Sequence, residues 1–503
     1  MRQTRNNFEY YLLTFLLFFF YSCEKETDNY SNQGEDNGTE DITPTVIPSV
    51  INLTAEATTK ANELKISWEN PSGITAVALS YWIQESDESS ANSVTTRVYD
   101  QRKSTQNIIV PQYGTYHISA VAMDNYGKRS EPVEITATPA ETDFVFNWSN
   151  VADSCTYVLI EQFMNKSKGT FWSTPKDISH SSQFIYWQQA HAMDVVIYSY
   201  ERIKKDNPDL AATYENYFRL WYQNHANNYE HKVDDETGFY NNFTDDMCWI
   251  CLTLMHLSEA TGDDTYFNTA KTVYDKYIIT RAWTDDKGTG LPWKADDKGR
   301  NACTNSPGCL IAAKLYKKYK EEKYKENAQM LYQYMVTNYP LKEGNGKVEE
   351  PPLTYTQGTF GEACRQLYYI TGESQYMRMA EKAINYAATS DRCLRDGLLR
   401  DEGTSMDQSI FKAVYIPYAV NLALDENAQY SIRTYIKDFI EKNANALRKN
   451  LQHQKFPEMY CDIYWGWTFD GDIASMGAQA SGASLMEGVA RLSQHDSNAN
   501  TEQ

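Results

Sequence analysis

The feature that most constrains this chain is a change of hydrophobic period near residue 140. Beyond it, from Phe184-Ile185-Tyr186-Trp187 through Ile197-Tyr198 and on to the end, apolar residues recur three and four apart. That spacing lines one face of a helix. An internal repeat runs through this part. Ala260-Thr261-Gly262-Asp263-Asp264-Thr265-Tyr266 leads to Ala270, and Ile370-Thr371-Gly372-Glu373-Ser374-Gln375-Tyr376 leads to Ala380. A degraded copy has Tyr324 leading to Ala328, and the copies lie 58 and 52 residues apart. In each, one helix closes at a Gly or polar turn and the next opens with Tyr and Ala four apart. The spacing fits one helical hairpin, so roughly 350 residues make about six hairpins. The expected fold is mainly α: six hairpins closed into an (α/α)₆ barrel over residues 140–503, with a wide cleft at one end. A plain α-solenoid is the rival, disfavoured by low copy number and divergent loops.

Residues 47–139 alternate with period two instead. Leu64-Lys65-Ile66-Ser67-Trp68 is followed by the turn Asn70-Pro71-Ser72-Gly73, then by Val77–Ile83, Asn107–Val110 and Tyr116–Ala122, closed by Asp124-Asn125-Tyr126-Gly127. Short alternating strands between turn signals predict a small β-sandwich ahead of the barrel. The Trp68 and Tyr116 strands resemble fibronectin type III domains, which implies a spacer, with sugar binding as the alternative role.

The first residues bear on compartment. Arg2 and Arg5 precede an uncharged apolar run from Tyr10 to Tyr21, and Ser22-Cys23 follows. About a dozen residues cannot cross a bilayer core of ~30 Å as a helix, so residues 1–22 read as a signal peptide. The ending resembles a bacterial lipoprotein signal, with Phe20 where Leu is usual, which implies acylation of Cys23. Residues 23–46 are polar and acidic and read as a disordered tether. The charges after Cys23 are similar to surface-export tags of Bacteroidetes lipoproteins, implying the outer membrane or cell surface of a Gram-negative bacterium. A periplasm-facing anchor is the alternative.

A net charge of −20 opposes nucleic acid and anionic membrane surfaces as partners. The 38 Tyr and 11 Trp suit stacking on sugar rings and core filling alike. Cys248 and Cys251 form a C-x-x-C inside an apolar run with no second pair or His to complete a zinc site. No metal and no cofactor is expected. The histidines form no H-E-x-x-H or triad, His191 reads as a core residue, and no Gly-rich phosphate loop is present.

The sharpest local feature is Gly238-Phe239-Tyr240-Asn241-Asn242-Phe243-Thr244-Asp245-Asp246-Met247-Cys248-Trp249. Two adjacent carboxylates open a strongly apolar helix. One reading is capping, since Thr244 or Asp245 can accept N–H bonds and acids favour a helix N-terminus. The other is catalysis, because glycoside hydrolysis needs one carboxyl to donate a proton and another to attack or to activate water.

Around this segment stand Trp187-Gln188-Gln189-Ala190-His191-Ala192-Met193-Asp194, Thr261-Gly262-Asp263, Gly290-Leu291-Pro292-Trp293, Arg300-Asn301-Ala302-Cys303-Thr304-Asn305-Ser306-Pro307, Thr354-Tyr355-Thr356-Gln357-Gly358-Thr359-Phe360 and Asp407-Gln408-Ser409-Ile410-Phe411-Lys412. In this order they resemble family 76 of the glycoside hydrolases, the endo-α-1,6-mannanases, over about 150–495. The resemblance implies an (α/α)₆ barrel and retaining cleavage of the α-1,6-linked mannan backbone of fungal cell walls. It makes Asp245 the nucleophile and Asp246 the general acid/base. It puts Asn242, Asn301, Asn305, Tyr355 and Gln357 on loops facing the cleft, and offers Trp293 as a stacking face. Asp407 and Lys412 match its pattern as substrate contacts, or as a salt-bridged pair behind the cleft. Where the family commonly has Tyr-Asn before Gly, this chain has Tyr355-Thr356-Gln357-Gly358. The expected partner is α-mannan, with membrane contact through the lipid alone and a monomeric state. Alternatives are another (α/α)₆ carbohydrate-active enzyme and a non-catalytic mannan-binding lipoprotein. Trp465-Gly466-Trp467 and Asp470 receive no site assignment.

Overall fold

The computed structural model describes residues 46–58, 63–83, 94–98, 104–110, 113–124, 128–140, 147–175, 186–228, 238–452, 454, 458–471 and 474–501. The signal peptide, Cys23 and the tether lie outside these residues, as do Phe184, Ile185 and residues 125–127.

Among the described residues, seven strands form the N-terminal part: β1 (Ile51–Ala57), β2 (Glu63–Glu69), β3 (Ala76–Ile83), β4 (Val94–Val98), β5 (Thr105–Ile109), β6 (Tyr116–Met123) and β7 (Val133–Ala137). They pair antiparallel in two sheets, β1-β2-β5 and β4-β3-β6-β7. The period-two pattern does the sorting. Leu64, Ile66 and Trp68 of β2 are buried together with Leu79, Tyr116 and Ile118 of the other sheet, while Lys65 and Glu69 face out. The indole of Trp68 keeps a partner in Asn70 Oδ1 at 2.7 Å, so its burial strands no donor.

Twelve α-helices, joined by loops with short turns and hairpins, carry the rest of the described chain: α1 (Trp148–Phe163), α2 (Tyr186–Ile203), α3 (Pro208–Asn228), α4 (Thr244–Thr261), α5 (Asp264–Val273), α6 (Ala302–Tyr319), α7 (Glu322–Asn338), α8 (Thr354–Thr371), α9 (Ser374–Thr389), α10 (Met406–Leu424), α11 (Tyr430–Leu451) and α12 (Met476–Thr501). The even-numbered helices form a closed inner ring, each touching the next and α12 returning to α2. The odd-numbered helices pack outside it, α1 against α12 and each of the others against its inner partner. This is an (α/α)₆ barrel. Sequence explains the sorting. α4 is apolar around most of its circumference and buried on all sides from Met247 to Met255. α9 instead buries one stripe, Tyr376, Ala380, Ala383, Ile384 and Ala387, as a surface helix should.

The internal repeat marks the outer ring. Tyr266 and Ala270 lie on α5, Tyr324 and Ala328 on α7, Tyr376 and Ala380 on α9, all buried. The small alanine lets a neighbouring inner helix come close: Cys251 and Cys309 donate their thiols to the carbonyls of Ala270 and Ala328 at 3.7 and 3.2 Å. Gly262 and Gly372 end α4 and α8 at φ +80° and +75°, the left-handed cap that glycine adopts without penalty. In the degraded copy Lys320 occupies that place at φ 59°.

Ionic layers close the ring at the C-terminal ends of the inner helices. Arg202 of α2 bonds Glu487 of α12 at 2.7 Å and Asp153 of α1 at 2.6 Å. His256 of α4 sits between Asp194 and Glu201, its two ring nitrogens 3.0 and 3.3 Å from their oxygens. A cavity of about 420 Å³ is lined there by Asp194, His256, Glu362 and Glu487.

Candidate active site

The N-terminal ends of the inner helices converge at the opposite end of the barrel. Residue 256 is about 16 Å along α4 from residue 245 by the helical rise. The strand-like stretch before α4 is held from two sides. Thr244 N donates to Trp293 O at 2.7 Å, and Ala295 N to Asn242 O at 3.0 Å. Arg281, delivered by a π-helical turn at Tyr274–Ile278 and a 3-10 turn at Ile279–Arg281, donates to Asn241 O, Asn242 O and Thr244 Oγ1 at 2.9–3.0 Å. Phe243 occupies the N-cap position without a side-chain hydrogen bond, and the pair 245–246 falls inside the first turn. Neither Thr244 nor Asp245 is therefore the N-cap residue: Thr244 Oγ1 accepts from Arg281, while the Asp245 carboxyl still accepts from first-turn N–H groups, as an acid at a helix N-terminus does.

The two carboxyls meet different surroundings. Asp245 Oδ2 accepts from Trp293 Nε1 at 3.2 Å and from the Cys303 thiol at 3.5 Å. Its other oxygen, Oδ1, is buried and has no hydrogen-bond partner among the described residues. Burial pushes the Asp245 carboxyl up to about 6, against the pull of Cys303, Trp293 and the first-turn N–H groups. Asp246 is pushed well above the ordinary carboxylate range, by burial first, then by the charges of Asp245 and Asp407. No donor offsets this at Asp246 among the described residues. When two close carboxyls compete, the proton stays with the one whose anion is less supported. The proton shared by the pair thus favours Asp246 over Asp245.

Aromatic rings pave the floor. Tyr355 of α8 stacks on Phe411 of α10 at 4.1 Å, and Trp187 of α2 lies 6.1–6.4 Å from Phe411, Trp249 and Tyr355. Tyr355 also lies beside Cys303, whose thiol reaches Asp245. Trp187 Nε1 and Gln188 Nε2 both donate to Asp407 Oδ1, the former at 2.8 Å. Glu349, just before α8, accepts from Thr356 Oγ1 at 2.6 Å, and burial pushes its carboxyl up to about 7.

The structure brings Asp245, Asp246, Trp293, Tyr355 and Asp407 together at this end, and Asn242 and Asn301 flank them. Asn301 caps α6, its Oδ1 accepting from Thr304 N at 3.1 Å. Three expectations are corrected. Asn305 is fully buried in the first turn of α6, bonded to Leu291 N, Leu291 O and Asn301 O. Gln357 is fully buried in the first turn of α8, bonded to Val348 N, Gly346 O and Ala383 O. Both amides stitch loops to helices and are not available to a sugar. Lys412 is buried, donates to Ile463 O and lies 4.3 Å over the Trp465 ring. Its ammonium is taken up by these groups, and it forms no ion pair with Asp407 among the described residues. Tyr355 and Gln357 stand on a helix, not on the expected loop. Trp187, Arg281, Cys303, Glu349 and Phe411 were not singled out in the sequence as site residues. Trp187, Cys303 and Phe411 lie within the quoted segments, but nothing local marks them as neighbours of Asp245 and Tyr355.

The family model for Glycosyl hydrolase family 76 matches residues 147–501. No curated protein matches the chain. Among solved structures, the α-1,6-mannanase of Salegentibacter sp. HEL1_6 is 25% identical, with a TM-score of 0.60, over 69% of this chain and 100% of its own. An inactive variant of that enzyme, with two consecutive aspartates replaced by asparagine, is solved with α-1,6-mannotriose. A family 76 glycoside hydrolase from a bovine Bacteroides thetaiotaomicron strain is similar over 89% of this chain and 100% of its own at 17% identity, TM-score 0.55, a likeness of fold.

Proposed function

Because this chain belongs to glycosyl hydrolase family 76 and is a glycoside hydrolase, we propose that it cleaves α-1,6-mannosidic bonds within a fungal-type mannan backbone, with retention of configuration. The observation that carries the reading is the asymmetry of the Asp245–Asp246 pair. Asp245 has Oδ2 held by Trp293 and Cys303, while its buried Oδ1 has no side-chain partner among the described residues, an unequal pair of oxygens that suits a nucleophile attacking through one of them. Asp246 keeps its proton, the state of a general acid. Adjacent residues in one helical turn suit the short separation of retaining enzymes, about 5–5.5 Å, better than the ~6.5–9.5 Å that inverting enzymes leave for water.

In the first step Asp245 Oδ1 attacks the anomeric carbon while Asp246 gives its proton to the departing glycosidic oxygen. In the second, Asp246 takes a proton from water, which displaces Asp245 and restores both carboxyls. The Salegentibacter enzyme supports the same residue type, since its inactive variant lacks two consecutive aspartates. Of the other consecutive aspartates among the described residues, Asp263 caps α5, Asp285 pairs with Arg300 at 2.5 Å, and Asp297 accepts from Gly299 N at 2.8 Å; Asp234-Asp235 lies outside the described residues. Trp293, Asn242, Asn301, Tyr355 and Asp407 are proposed to contact sugar around the scissile bond. Endo action, acylation at Cys23, display at the cell surface and a spacer role for the sandwich complete the proposal.

The test is incubation with debranched α-1,6-mannan followed by proton NMR of the first products. Oligosaccharides released initially as the α-anomer are expected, and Asp245→Asn or Asp246→Asn should lower turnover at least ~10²–10⁴-fold. Neither variant should melt earlier, because an amide relieves a buried carboxylate. Initial release of the β-anomer, or turnover spared in both variants, would overturn the assignment.

A further inference from the structure

Trp465 and Trp467 flank Gly466 between α11 and α12, and they face opposite ways. Trp465 is fully buried, whereas Trp467 is 49% exposed. A Cβ at residue 466 would lie 2.5 Å from the Tyr464 ring, so the chain folds tightly against that ring. The clearance of a glycine permits one indole to turn inward and the next outward. The segment is seated at the cleft end of the barrel. Lys412, little more than one turn beyond Asp407 on α10, donates to Ile463 O, and Cys461 N donates to Gln479 Oε1 in the first turn of α12 at 3.0 Å. In the ring of six, α10 stands three places from α4. This rim therefore faces Asp245 and Trp293 from across the cleft mouth.

Trp467 is also braced. The ring of Tyr464 meets it edge-on at 5.1 Å, and the Arg395 guanidinium lies 4.9 Å from its centre. Arg395 is fixed in turn by Asp401 at 2.6 Å, and its carbonyl accepts from the Tyr464 hydroxyl at 2.8 Å. A large indole left half in water forgoes the gain of burial. One immobilised by its neighbours loses little further entropy when a ligand packs on it.

We propose that Trp467 is a sugar-stacking platform at a distal subsite, holding a backbone mannose on the far side of the cleft from the Asp245–Asp246 pair. The proposal rests on the mannan reading above. A pyranose presents a face of C–H groups to an aromatic face, and a chain reaching from Trp293 to Trp467 spans the whole cleft mouth. On this proposal a long chain engages Trp467 and the carboxyl pair together whereas a short oligosaccharide engages the pair alone, so Trp467 makes the enzyme favour long chains.

The test compares wild type, Trp467→Ala and Trp467→Phe on debranched α-1,6-mannan and on α-1,6-mannotetraose, with thermal unfolding as the control for folding. Trp467→Ala should raise KM for the polymer about tenfold, the size of one aromatic stacking contact, with kcat and unfolding temperature unchanged. Its kcat/KM on the tetrasaccharide should match wild type, and Trp467→Phe should recover most of the polymer affinity. Equal losses on both substrates, or wild-type behaviour of Trp467→Ala on the polymer, would overturn the platform alone. A wild type that cleaves neither substrate overturns the mannan reading and the platform with it.

Discussion

Trp293 Nε1 donates to Asp245 Oδ2 at 3.2 Å, and the Cys303 thiol reaches the same oxygen at 3.5 Å. Both donors come from the segment that joins α5 to α6 and from the first turn of α6, and both act on the oxygen that does not attack. Removing one should raise the carboxyl's affinity for protons. Trp293→Phe is expected to lower kcat/KM about tenfold, as for one hydrogen bond to a charged group worth ~1.5 kcal/mol. It should also move the acid limb of the pH profile upward. A simple fall in affinity with an unmoved limb would assign Trp293 to stacking alone.

The profile itself follows from the pair. Asp245, at about 6, must be ionised, so kcat/KM should fall as pH drops through that value. Asp246, held higher by burial and by the charges of Asp245 and Asp407, must keep its proton, so activity should fall again on the alkaline side. Replacing Asp407 by Asn removes one of those charges and should pull the alkaline limb down. Rates on mannan across about pH 4–9 bracket both limbs.

His256 carries a separate pH signature, in stability. With a carboxylate at each ring nitrogen, burial pulls the imidazole down, but the hydrogen bonds it donates to Asp194 and Glu201, with their charges, outweigh this and push it up to about 9. A folded-state value above the unfolded ~6.5 means the contribution is whole below that pH and is lost as pH rises through 9. Glu201 is 40% exposed, so the discounted contribution is on the order of 2 kcal/mol. Thermal melts of wild type should fall by a few degrees between about pH 6.5 and 10, and His256→Gln should flatten that slope.

Lys320 closes α6 at φ 59°, where its counterparts Gly262 and Gly372 close α4 and α8. A side chain in the left-handed region costs about 1 kcal/mol that glycine avoids. Lys320→Gly should therefore stabilise the barrel by no more than ~0.5 kcal/mol once the ~0.5–1 kcal/mol entropy of the unfolded glycine is subtracted. Chemical denaturation with unchanged slope would register it.

Anchoring is tested at Cys23. If its thiol carries the lipid, Cys23→Ser should move the protein from the membrane to the soluble fraction with unfolding temperature unchanged. Retention of the variant in washed membranes would remove the lipoprotein assignment.

What could be read from the chain alone was whatever depends on a few neighbouring residues. The change of period near 140, the Gly262 and Gly372 caps, the Tyr–Ala openings of α5, α7 and α9, and the place of Asp245–Asp246 at a helix start are all local in origin. Helix ends and faces are set within one or two turns, so their signals survive in the sequence. The tertiary structure decided the rest. Asn305 and Gln357 have the side chains of sugar-binding residues, yet the first turns of α6 and α8 aim them at loop backbones. Trp465 and Trp467 are alike in sequence and opposite in burial, the one packed under Lys412 and the other left beside Tyr464 and Arg395. The difference between Asp245 and its neighbour arises from donors 48 and 58 residues away and from a charge on α10. Burial and Coulomb terms depend on distances through space, which spacing along the chain does not encode until the ring has closed.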